Sequence, residues 1–180
     1  MNLDYNLFLQ GATQSQSGRA VFVAEGSPAT SAQLASAEST LGITLPPSYK
    51  VFLTLLGPGL WCDEAVKSPS ALFAFDTDCW EMAGFVALVE NVQGVGDHIA
   101  INPVDASESG ERAVYYCGHD PFGYALLADS FEAWTRMSLQ ATLSDESPYA
   151  IVEEAVMQSY RRWRAAQPKP KAPKWQFWRK

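Results

Sequence analysis

The fold is decided by one stretch, ATSAQLASAESTLGITLPPSYKVFLTLLGPG, Ala29 to Gly59. Thr30 followed three residues later by Gln33 has capping-box spacing, in which two side chains satisfy the orphan amides of a helix start. Leu34, Ala37, Glu38 and Leu41 then recur at helical intervals, and Gly42 stands where a left-handed cap closes a helix. The spacing predicts a helix over about residues 31–41. Pro46 and Pro47 are placed to start a second helix with an apolar face of Tyr49, Phe52, Leu53 and Leu56. Gly57-Pro58-Gly59 stops it. Two short helices joined by the elbow GITLPP are expected.

Toward the amino terminus, Leu3, Tyr5, Leu7, Phe8 and Leu9 form a short apolar-periodic piece. The polar run QGATQSQSGR reads as a linker and AVFVAEG as a short strand. Toward the carboxyl terminus, LWCDEAVKSPS reads as an irregular loop and ALFAFD as a strand. WEMAGFVALVENVQG stays open between a strand, a helix and one of each. From Asp97 the pattern is β: DHIAINP alternates, ERAVYYC is β-branched and aromatic, and GYALLAD is short and apolar. Turns are expected at Asn102-Pro103, Ser109-Gly110 and from Gly118 to Gly123. DSFEAWTRMSL restarts a helix capped by Asp129 or Ser130, with Phe131, Trp134 and Met137 or Leu139 toward the sheet. A last amphipathic helix covers about residues 145–166, and Pro168, Pro170 and Pro173 keep the tail from continuing it.

The order helix–helix, strands, helix makes this an α+β chain, a mostly antiparallel sheet flanked by helices in a single domain. The expected division is an extension over 1–24, the α+β domain over 25–143, a helix over 144–166 and a basic Pro/Trp-rich tail over 167–180.

The chain has 180 residues, 47 % of them apolar and 18 % charged, which suits a folded protein with a real core. The opening MNLDYNLFLQGATQ lacks a cationic lead-in and an apolar run of signal length, and no run approaches the ~20 apolar residues of a membrane span. Three irregularly spaced cysteines, Cys62, Cys79 and Cys117, do not make a disulfide framework. A cytoplasmic protein is expected. Residues 1–160 carry five Lys and Arg against 20 Asp and Glu, a charge of −15, while residues 161–180 carry eight cations and no acid. An acidic body repels nucleic-acid phosphates and attracts a basic protein partner through its long-range field.

Cys117, His119 and Asp120 raise the question of nucleophilic catalysis, since a cysteine nucleophile needs a base and a group that orients the base. CGHDPFG is also a strong turn sequence, and a hairpin tip is the expected reading. His98 and His119, without a third ligand or a CxxC pair, give no zinc pattern. No metal and no cofactor are expected, since Walker, dinucleotide, GxSxG and HExxH motifs are all missing. In FDTDCWE, the acids Asp76, Asp78 and Glu81 surround Trp80, the composition of an interface hot spot. The candidate partner-binding residues are Asp76, Asp78, Trp80, Glu81, Asp97, His119 and Asp120, with none assigned to catalysis.

The helix carrying Glu38 and ending Leu41-Gly42, then Leu45-Pro46, Tyr49, Phe52-Leu53 and the stop Gly57-Pro58-Gly59, resembles the opening signature of the SUKH superfamily, which includes the yeast Smi/Knr regulators. GDHIAINP, AVYYC and YALLADSFEAW resemble that family's closing strands and helix. The resemblance covers about residues 25–140; the stop is GPG where many relatives have Asn-Gly-Gly. It implies a non-enzymatic module, of which the bacterial examples are immunity proteins that bind and occlude a cognate toxin, often a nuclease. A regulatory or scaffold module of the same fold is the alternative.

Overall fold

The computed structural model describes residue 18 and residues 20–167. The amino-terminal apolar piece and the tail beyond Gln167 lie outside the described residues. In chain order the elements are β1 (Phe22–Ala24), α1 (Ser31–Leu41), α2 (Pro47–Leu55), β2 (Gly59–Trp61), β3 (Glu64–Val66), β4 (Phe73–Ala74), β5 (Val86–Val92), β6 (Asp97–Ala106), β7 (Arg112–His119), β8 (Phe122–Ala128), α3 (Phe131–Leu143) and α4 (Glu153–Ala166). Short 3-10 turns occupy Pro69–Ala71, Thr77–Met82 and Ala150–Val152. The eight strands form one antiparallel sheet in the order β1-β2-β3-β5-β6-β7-β8. β4 lies end to end with β3 along the same edge of β5. The α+β class read from the sequence is the class observed.

The helix–elbow–helix is built as its local signals dictate. The Thr30 hydroxyl accepts from the Gln33 amide at 3.3 Å, and Gln33 Oε1 accepts from the Thr30 amide at 2.8 Å, closing the capping box. Gly42 ends α1 at φ 66°, a left-handed conformation that costs glycine nothing. Pro46 has no hydroxyl or carboxylate to cap α2. Glu111, 63 residues away, does it instead: its carboxylate accepts from the Ser48 amide at 2.7 Å and the Ser48 hydroxyl at 2.8 Å. A carboxylate there also meets the positive end of the helix dipole. Arg112, buried beside it, donates to the carbonyls of Thr44 in the elbow and Pro103 in β6.

Glu38 ties the elbow to both helices. One carboxylate oxygen accepts from the Leu45 amide at 2.9 Å and from Lys50 Nζ at 3.0 Å. Burial pulls this carboxyl upward, but the Lys50 hydrogen bond, the Leu45 amide and the Lys50 charge outweigh it and hold Glu38 below its ordinary value. A depressed acid stabilises the fold above its unfolded pKa, and that contribution is lost as pH falls through the lowered folded value. Glu38→Gln should therefore cost about 0.5–1 kcal/mol near neutral pH, the scale of an exposed pair. In urea titrations run from pH 7 down to 3, the gap between parent and variant should close in acid.

Side chains alternate cleanly across β6, β7 and β8. Ile99, Ile101, Val114, Tyr116, Ala125 and Leu127 enter the main core with α1–α3, while Ala100, Tyr115, Cys117, Phe122 and Tyr124 face the other way. The main core is an aromatic chain: Phe22, Trp61, Phe52, Phe131 and Tyr49, at centroid distances of 5.0–6.4 Å. Two of its buried polar groups are bonded, Trp61 Nε1 to Ser138 Oγ at 3.0 Å and the Tyr49 hydroxyl to the Lys67 carbonyl at 2.7 Å. α4 covers the β8 edge and crosses it at Gly123, where a Cβ would meet the Val156 carbonyl oxygen at 2.7 Å. Gly123→Ala should push α4 off the strand and cost about 1–3 kcal/mol, the scale of an overpacked contact; a thermal melt reads it.

Four local readings change. LWCDEAV is a hairpin, β2–β3, whose turn residues Cys62 and Asp63 both have positive φ, 53° and 70°. Its three-residue strands and the absence of glycine or asparagine from the turn conceal it. Asn102-Pro103 is not a turn but lies inside β6, where pairing with β7 breaks register between Ile101 and Ala106 and the proline's missing N–H costs no ladder bond. Gly118 and Gly123 pair within β7 and β8, so the turn shrinks to Asp120-Pro121, joined by a cis peptide bond. The last helix starts at Glu153, after a bend containing Pro148 and a 3-10 turn.

Candidate partner-binding surfaces

The tip trio is built for order, not nucleophilic attack. Cys117 is 3 % exposed on the second face of the sheet. Burial, then the charges of Asp97 and Cys79, push its thiol far above the ordinary value, so it stays protonated at neutral pH. His119 turns to Asp97 instead, its Nδ1 lying 2.7 Å from Asp97 Oδ1, which also accepts from the His119 amide at 2.9 Å. The Tyr116 hydroxyl donates to the other oxygen of the same carboxylate. Asp97, 4 % exposed, thus fastens the start of β6 to the end of β7, and Asp120 stands exposed at the turn. Among the described residues no three His, Cys, Asp or Glu side chains converge as metal ligands.

Below this tip the surface opens into two adjoining recesses of about 490 and 530 Å³, which share Gln93, Ser147 and Tyr149. The first is walled by Asp97, Asp120 and Glu153, with Tyr116, Val152 and Val156 at its floor. Asp63, Glu64, Asp145 and Glu146 line the second. Seven carboxylates therefore border one cleft, and among the described residues no lysine or arginine lines it. Glu64 is buried, and its carboxylate accepts from the Gln93 amide at 3.1 Å. Like charges converging on a partly desolvated cleft focus a negative potential outward, toward any cation that approaches.

Asp76, Asp78, Trp80 and Glu81 sit elsewhere, on the 3-10 segment laid across the second face of the sheet. Trp80 has φ 53° and ψ −124°, a conformation of the sort stored at recognition sites. Glu81 accepts from the Tyr124 hydroxyl at 2.9 Å and pairs with Arg162 of α4 at 3.4 Å. His98, on the same face, is wedged edge-on between Phe73 and Phe75, both at 5.6 Å. Its burial, then the Lys67 cation, hold its pKa below the ordinary value.

The seven candidate residues thus fall into two groups, one at the cleft and one on the second face. Asp145, Glu146 and Glu153 were not singled out, and the adjacent acids Asp63 and Glu64 were not among the partner-binding candidates. Asp145 and Glu146 read as the start of the last helix; they lie instead in the bend before it, and only the return of that bend against the β2–β3 hairpin brings them to Glu64.

No helix among the described residues is long and apolar enough to cross a membrane. Comparison with curated proteins and with solved structures gives no match. The model of the SMI1 / KNR4 family (SUKH-1) matches residues 28–137, from just before α1 into α3 and so across the elbow and most of the sheet. With that match over more than half of its length, the chain belongs to the SMI1/KNR4 family, SUKH-1.

Proposed function

We propose that this protein is an immunity protein that binds a basic toxin, of the nuclease class, and blocks it by occlusion, without turning over a substrate. The observation that carries this reading is the cleft: seven carboxylates brought together on a body whose charge is already strongly negative. A nuclease must gather cations around its phosphate-binding groove. An acidic cleft with apolar floor residues is a competitor for that groove and gives fast, salt-sensitive encounter. The contacts we assign are Asp120, Asp145, Glu146 and Glu153 at the rim, with His119 ordered by Asp97 beside them. Asp76, Asp78, Trp80 and Glu81 supply a second contact surface. The free cysteines Cys62, Cys79 and Cys117 support a cytoplasmic site of action.

Co-expression tests this directly. Cells producing the toxin domain encoded beside this chain should grow when the chain is present and die when it is absent. Equal killing in both would remove the immunity reading, and recovery of cell-wall or signalling proteins with the chain would favour a regulatory module.

A further inference from the structure

The second face of the sheet is short of cover. Helices α1–α3 pack on the first face, whereas among the described residues the second carries only the segment around Phe75 to Phe85. Phe73 is 39 % exposed and Leu126, beside Tyr115 in register, 54 %. Phe75, Trp80, Tyr115 and Tyr124 are half-buried there, and Asp76, Asp78, Glu81 and Asp105 set acids among them. Aromatic surface interleaved with carboxylates is the complement of a segment that alternates aromatics with cations.

We propose that residues 168–180 of the same chain, PKPKAPKWQFWRK, dock across this face. Three observations point to this occupant. The first is where the described chain ends. α4 crosses the β8 edge at Gly123 and brings its last turns to the second face, where Trp163 packs on Phe122 at 5.2 Å and Arg162 pairs with Glu81 at 3.4 Å. The start of the basic stretch therefore already places a cation on the acidic segment and a tryptophan on the aromatic strip, and Gln167 follows four residues after Trp163.

The second observation is chemical. Residues 168–180 hold five cations, no acid, and Trp175, Phe177 and Trp178. Burying three large aromatics on half-exposed rings, with lysines left at the acidic rim, satisfies both partners. The third is reach. Strands lie ~4.8 Å apart, so the face from β8 to β4 is about 19 Å across. A proline-rich segment extends ~3.1 Å per residue, so six residues cover that width and carry the aromatics over Phe73 and Phe75. The acidic cleft lies at the other end of α4, beside Glu153, about 20 Å back along the helix axis at 1.5 Å per residue. Docking on the second face leaves the cleft open and covers the contact surface of Asp76, Asp78, Trp80 and Glu81, which the segment must vacate before a partner uses it. The inference stands whether or not the partner is a toxin.

Photo-crosslinking of the full-length chain tests it. With p-benzoylphenylalanine in place of Trp175, mass spectrometry should find intrachain links to residues 73–81, Tyr115 or Leu126. The yield should fall about tenfold in an Asp76→Lys/Asp78→Lys background or in high salt, since the rim pairs are exposed and screened. Unchanged circular dichroism of that background certifies the fold. Links to residues 145–153 instead would put the segment in the cleft, and links between copies would make the occupant a second chain. Full-length protein that gives no link to the face but pellets with phosphatidylglycerol vesicles would make it a lipid surface. Each of these three results overturns the proposal, as does the absence of any link.

Discussion

Replacing Phe131 by alanine should destabilise the protein by about 3–5 kcal/mol, enough to consume much of a typical domain's stability. Phe131 is fully buried at the first turn of α3, with ring centroids of Tyr49, Phe52 and Trp134 5.0, 5.5 and 5.1 Å away. It is the one side chain in this set that touches both α2 and the interior of α3. The elbow helices and the closing helix are held to the sheet through it. Its neighbours are themselves pinned, Tyr49 by the Lys67 carbonyl, so they cannot collapse into the cavity. With a urea slope of ~2 kcal/mol per molar, the unfolding midpoint should drop by roughly 2 M with the slope unchanged. Leu55→Ala, at a 46 % exposed position ending α2, should stay within about 0.5 kcal/mol of the parent.

The second large effect is on association. A triple reversal, Asp120→Lys, Glu146→Lys and Glu153→Lys, changes the charge of the cleft by six units at exposed positions. The association rate with the proposed basic toxin should fall roughly 100-fold at low salt, and the parent's steep dependence on ionic strength should flatten. Stopped-flow mixing across a salt series reads both. The cost to folding is small by comparison, mainly a lysine facing the α4 amino terminus where Glu153 now sits favourably, about 0.3–1 kcal/mol.

The helix–elbow–helix was legible because its determinants are local: Thr30 with Gln33 at one end and Gly42 at the other each act within one turn of chain. β7, β8 and α3 were legible for a related reason, since alternation in Tyr115–Cys117 and the Ser130 cap, which accepts from the Ala133 amide at 3.1 Å, need no distant partner. Val86–Val92 stayed ambiguous because its first four residues are buried on both sides, which erases the period that separates strand from helix. At the site, Asp120 was readable from its turn. The role of Asp97 was not, because its partners lie 19 and 22 residues ahead on β7. The adjacent acids Asp63 and Glu64 show as a pair, but nothing local ties them to Asp145 or Glu146, and their meeting is a property of the folded chain alone. Glu111 capping α2 from 63 residues away is invisible for the same reason.

The central claim is that this acidic module works by binding a basic toxin. Isothermal titration of the purified full-length chain into that toxin domain, with toxin activity followed on the same samples, tests it most directly. The account predicts a single saturable 1:1 transition with activity extinguished at equivalence, weakened by salt and by the cleft reversal. Absence of binding heat, with full toxin activity in a tenfold excess of the chain, would contradict it.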